Sequence, residues 1–139
     1  MKPRITLMIA LLSSCAILVG QNTPQIKTVP IKETSPASGK QMFVEYCASC
    51  HGKEGKGDGP AAAALKTPPS NLTTLSARNK GSFPGLRVSQ AIEGDGATIA
   101  HGSREMPVWG QVFYTNETKS TVKLRVVNLT EYVKTLQAK

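Results

Sequence analysis

Cys47-Ala48-Ser49-Cys50-His51 brings two thiols and an imidazole into one short stretch of the chain. Thiols three positions apart lie near one face of a helical turn, where each can add to a vinyl group of the same haem. The histidine beside them can turn a ring nitrogen onto the iron. C-x-x-C-H is the spacing at which c-type haem is attached. The other chemistries open to this spacing fit less well. A structural zinc site takes four ligands, usually Cys and His, and beyond the motif the chain offers only Cys15, in an apolar N-terminal run, and His101. A thioredoxin-like redox pair needs βαβ surroundings, and no strand–helix alternation flanks Cys47. A disulfide between Cys47 and Cys50 would leave His51 unexplained.

A haem iron needs a second axial ligand or an open position. The segment His101-Gly102-Ser103-Arg104-Glu105-Met106-Pro107-Val108-Trp109-Gly110 supplies both candidates. Met106 carries a soft thioether of the kind that raises the potential of Met/His haems. Pro107 restricts it to extended backbone, and glycines bound the segment, which suits a loop crossing a haem face. Met8 lies in the N-terminal apolar run, Met42 is too close to the attachment motif to reach the opposite face, and Met1 is the initiator. The bland alternative for Met106 is core filler. His101 is the competing imidazole, and a bis-His haem would have a lower potential; otherwise His101 is a neutral loop residue near the haem edge.

These residues need a scaffold, and its period is helical. Ser38-x-x-Gln41 reads as a capping box, after which Phe43, Tyr46, Cys47 and Cys50 recur at three- and four-residue spacing on one face. From about Thr121 to Gln137, Val122, Val126, Leu129, Val133 and Leu136 form an apolar stripe, with Lys123, Arg125, Asn128, Glu131 and Lys134 on the wet side. A shorter helix is predicted over Leu86–Glu93, stopping at Gly94, and another over Ala61–Leu65, broken by Pro68-Pro69. No alternating strand pattern stands out. The glycines of Gly52–Gly59 lack the phosphate-loop spacing and follow no strand, so they read as a tight turn. The sequons at Asn71, Asn116 and Asn128 read as chance matches.

The order and spacing of these landmarks resemble class I monohaem c-type cytochromes, close to small bacterial periplasmic ones. The stretch from Ser38 to Gln137 carries the resemblance. It includes Gly39-Lys40-Gln41-Met42-Phe43, the haem motif, Gly55–Ala61, Met106–Gly110 and Leu129–Leu136. The resemblance implies an all-α cytochrome c fold, three to five short helices around one covalently bound haem c, held by Cys47 and Cys50 and ligated by His51 and Met106. It implies that the first and last helices cross near Gly39 and Phe43 with Tyr132 at the contact. It also implies that a proline carbonyl, from Pro60, Pro68 or Pro69, holds the His51 Nδ1–H. The function implied is one-electron transfer, with no catalytic residue and no small-molecule substrate. The alternative is a catalytic or gas-sensing haem with an open or bis-His iron, for which the chain offers no distal acid–base pair beyond His101.

The N-terminus bears on location. Met1-Lys2-Pro3-Arg4 is a basic start, followed by an apolar run from Ile5 to Gly20 that is short for a membrane span. Leu12-Ser13-Ser14-Cys15 resembles a bacterial lipoprotein signal; an uncleaved anchor and a cleaved signal are the alternatives. Each puts the rest of the chain on the periplasmic side of the membrane. The expected organisation is a signal or anchor over 1–20, a flexible Pro/Thr/Ser/Lys linker over 21–37, and a cytochrome c domain over 38–139. A linker of that length reaches on the order of 50 Å when extended. The formal net charge of +8 suits docking on acidic redox partners, with Lys53, Lys56, Lys66, Arg78 and Lys80 as contributors. Nucleic acid is excluded as a partner by compartment and by the lack of an aromatic–basic platform.

Overall fold

Ser38 starts the first described helix. In a computed structural model, which describes residues 31–94 and 106–138, its Oγ accepts the Gln41 N–H at 3.2 Å and opens helix α1, Gly39–Met42. The expected capping box is half built. The Ser38 N–H already donates to the Ser35 carbonyl at 3.1 Å, so the Gln41 side chain reaches further back and accepts the Ser35 N–H at 3.2 Å. The helix runs on through a π-helical stretch, Phe43–Cys47, into α2, Ala48–His51. A π stretch widens the turn and rotates α2 relative to α1. Phe43 therefore faces the core, its ring 5.3 Å from that of Tyr132, while Tyr46, Cys47 and Cys50 face a cleft.

After α2 the chain doubles back over the helix end. The carbonyls of Ser49, Cys50 and His51 accept from the backbone N–H groups of Ala61, Gly59 and Gly57 at 2.8, 3.0 and 2.8 Å. Carbonyls that a helix C-terminus leaves unpaired are thereby satisfied, and the haem motif is fixed at a rigid end. The short helix expected over Ala61–Leu65 is a 3₁₀ turn, Ala62–Ala64. A second 3₁₀ turn, Leu72–Thr74, capped by the Asn71 side chain, leads into α3, Leu75–Arg78. Helix α4, Gly85–Glu93, ends where expected, at Gly94 in the left-handed region. Helix α5, Trp109–Tyr114, begins inside the stretch up to Gly110 that reads as loop. Helix α6, Lys119–Thr135, begins two residues ahead of the expected start because the Thr118 hydroxyl caps it, accepting the Thr121 N–H.

Helix α6 packs against α1, α4 and α5. Met42, Phe43, Val122, Val126 and Leu129 form the most deeply buried part of the core. Among the described residues the secondary structure is entirely helical, as an all-α fold requires. The first and last helices cross at Gly39, where a side chain would strike the Asn128 carbonyl and the Tyr132 Cβ.

The packing corrects two expectations. Arg125, placed on the wet side of α6, is buried, because Glu117, Thr34 and the Phe113 ring surround its guanidinium. Residues 31–37, assigned to the linker, belong to the packed body, which starts at Ile31; Lys32 and Thr34 bond to Tyr46 and Arg125. The N-terminal segment 1–20 with Cys15, and linker residues 21–30, lie outside the described residues. Among the described residues no helix is long and apolar enough to cross a membrane.

Candidate haem cleft

Residues from three separate stretches meet at one partly open cleft, whose space, counting the solvent at its mouth, is about 550 Å³. Tyr46, Cys47, Cys50 and His51 form one wall, from the π stretch and α2. Leu65 and Thr67–Ser70 form a second. Met106, Pro107 and Trp109 close it from the start of α5. The structure thus brings together the four residues that the sequence singles out, Cys47, Cys50, His51 and Met106. His101 lies outside the described residues.

His51 is buried, and its Nδ1 lies 3.1 Å from the Ser70 carbonyl. A carbonyl can only accept, so Nδ1 carries the proton and the ring's lone pair sits on Nε2. The acceptor is Ser70, and this corrects the expectation of a proline carbonyl from Pro60, Pro68 or Pro69. Pro68-Pro69 still matters, since two fixed φ angles deliver the extended chain that ends on Ser70. Gly57 lets that chain come close. Its φ is +86°, and a Cβ there would strike the Pro69 carbonyl oxygen. The glycine-rich turn after the motif is therefore the seat for the segment that orients His51.

Cys47 and Cys50 are both free thiols, each half-buried. Burial, with the neighbouring Cys50 adding to it, pushes the Cys47 thiol up to about 12. It stays protonated at neutral pH, which disfavours disulfide exchange. Among the described residues no cluster of three His, Cys, Asp or Glu side chains converges to hold a metal ion.

The aromatic wall is layered. Tyr46 stacks on Trp109 with centroids 5.2 Å apart and planes 26° apart, and Phe113 backs both at 5.5 and 5.9 Å. Helical spacing places Tyr46 on the correct face, but sequence reasoning gives no role to Trp109, Phe113 or Ser70. A backbone acceptor leaves no side-chain signature. The recurrence of Trp109 and Phe113 four residues apart is the one helical signal that could have found the wall.

A flat, largely apolar macrocycle fits this cleft. Leu65, the prolines and the two aromatics supply apolar surface. The thiols line it at the attachment spacing, and His51 has the tautomer that leaves Nε2 as the coordinating atom. A search of curated proteins and one of solved structures found no match. The family model described as cytochrome C oxidase, cbb3-type, subunit III matches residues 34–123, well over half of the chain and all of the cleft. The chain belongs to that family: it is a c-type cytochrome domain, which carries covalently bound haem c and works by haem-based electron transfer.

Proposed function

We propose that this chain is a one-electron carrier with a single haem c, bound through Cys47 and Cys50 and ligated by His51 and Met106, on the periplasmic side of a bacterial membrane. The observation that carries this reading is the meeting of both thiols, the oriented imidazole and the Met106 thioether at one apolar cleft. When bound, haem supplies an iron couple that takes up and releases one electron. The protein's own residues decide how. The Ser70 carbonyl holds the His51 ring and raises its basicity as a ligand. Met106, kept out of helical backbone by Pro107, offers the soft sulfur that favours the reduced state. Leu65, Pro68, Pro69 and the Tyr46–Trp109 pair exclude water.

The partners fitted to this chemistry are redox proteins, an oxidase complex among them, with acidic surfaces that meet the lysines Lys53, Lys56, Lys66 and Lys80. Charge then sets the encounter rate more than the affinity. The N-terminus would tether the domain to the membrane, by lipid on Cys15 or by an uncleaved helix. Substituting Met106→Ala in the haem-loaded protein tests the ligand set. It should lower the reduction potential and open the iron to carbon monoxide or cyanide, while His101→Ala leaves the low-spin spectrum unchanged. The reverse pattern would replace the carrier with a bis-His or open haem.

A further inference from the structure

Tyr46 faces two ways. Its ring lines the cleft, while its hydroxyl turns outward to the segment that enters the domain, donating its proton to the Lys32 carbonyl at 2.8 Å. Thr34 Oγ1 lies 2.8 Å from the same phenol oxygen. The phenol has one proton and has used it, so Thr34 must donate. Thr34 Oγ1 in turn accepts from Arg125 Nη1 at 2.9 Å, and the Thr34 carbonyl accepts from Nη2 at 2.9 Å. Bonds from arginine to threonine to tyrosine to carbonyl therefore run in one direction, an order in which each polarises the next.

Arg125 also supports the same wall from behind. Its guanidinium carbon lies 5.4 Å from the Phe113 ring centre, and Phe113 touches both Tyr46 and Trp109. Burying a guanidinium is costly unless its charge and donors are met. Here Glu117 takes Nε at 2.6 Å and closes a second bond to Nη2. An arginine on a surface helix has open solvent within reach; this one is instead committed to Glu117, to Thr34 and to the aromatic wall.

We infer that Arg125 is a positioning residue for the haem cleft: through Thr34 it straps residues 32–34 across the outer edge of Tyr46, keeps the Tyr46–Trp109 wall closed to water, and so helps set the reduction potential. The inference rests on the haem assignment proposed above. Its direction follows from charge. The oxidised haem carries one more positive charge than the reduced haem, so water admitted beside it favours oxidation and the potential falls.

The test uses the full chain with haem attached and two readouts, the reduction potential and amide hydrogen exchange of residues 31–37 and 109–114. Arg125→Lys keeps the charge and loses the fork; Thr34→Val removes the relay without touching charge. Each should lower the potential and speed exchange in 31–37 by roughly tenfold or more. Thr34→Val combined with Tyr46→Phe should do little more than the larger single change, because both cut one chain. A potential unchanged in Arg125→Lys and Thr34→Val while exchange accelerates would make the strap structural only and overturn the inference. Unchanged exchange would overturn the strap itself, with or without haem. A wild-type chain that carries no covalent haem would instead defeat the reading beneath it.

Discussion

Gly39→Ala tests the contact on which the helical frame closes. A methyl group at Gly39 would overlap the Asn128 carbonyl oxygen and lie 2.8 Å from both the Asn128 carbonyl carbon and the Tyr132 Cβ, where ordinary contacts begin near 3.4 Å. None of these atoms sits at the end of a flexible side chain. They are helix backbone and the first carbon of a ring that packs on Phe43. The helices α1 and α6 would have to part by about 1 Å, and a gap of that size forfeits a quarter to a half of each dispersion contact it opens. Overpacking of this kind costs about 1–3 kcal/mol. Opposing it, replacing glycine by alanine within a helix gains about 0.5–1 kcal/mol, and less at a first-turn position such as this. The clash wins, for a net loss of about 2 kcal/mol. At roughly 4–8 °C per kcal/mol for a domain of this size, the haem-loaded variant should melt about 8–15 °C below wild type by circular dichroism. The exposed neighbour Lys40→Ala should melt within a few degrees. A Gly39→Ala protein melting at or above the wild-type temperature would rule out the clash, since helix propensity alone gives that result.

Acid stability should depend on Glu117. The Arg125 hydrogen bond, with Coulomb attraction added, holds its carboxyl below the ordinary value of 4.5. A lowered folded value means that the stabilisation is complete above 4.5 and is lost as pH falls through that lower value. Glu117→Gln should therefore cost about 2–3 kcal/mol at pH 7, where it leaves the buried Arg125 charge without a counter-charge. It should also flatten the acid limb of the stability curve; denaturant titrations at pH 7 and pH 3 that keep the wild-type slope would disprove the pairing. Thr130→Val should be neutral or stabilising by up to about 1 kcal/mol, because Thr130 Oγ1 is buried without a hydrogen-bond partner among the described residues and an apolar group of the same shape has no proton to leave unmet. A loss above about 1 kcal/mol in urea unfolding would show that the hydroxyl is satisfied in solution.

The legible part of the sequence is the part that chemistry or period forces to be local. Covalent attachment of haem demands two thiols a turn apart and a histidine beside them, so Cys47, Cys50 and His51 stand out as the candidates from their spacing alone. Helix ends carry local marks too, in Ser38 and Gly94. The stripe of Val122, Val126, Leu129 and Val133 predicts the face that α6 buries. The illegible part depends on partners far along the chain or on backbone atoms. The acceptor for His51 is a carbonyl nineteen residues on, and any residue can offer a carbonyl. Arg125 binds Thr34 across 91 positions, so its charge argues for solvent. Its register argues otherwise: it sits three residues after Val122 and four before Leu129, on the buried face. Helix α5 escapes sequence reading because Pro107 before it and Gly110 within it disfavour helix by propensity. Tertiary packing against α4 and α6 overrides that local preference.

Covalent attachment of haem through Cys47 and Cys50 underlies everything proposed for this chain, and intact mass after denaturation and acidified-solvent extraction probes it without intermediate assumptions. Protein from a host competent in haem attachment should retain the mass of one haem through extraction. Cys47→Ala and Cys50→Ala together should abolish it while Met106→Ala keeps it. Haem that leaves in the solvent, with the polypeptide at its unmodified mass, would contradict the assignment of both thiols.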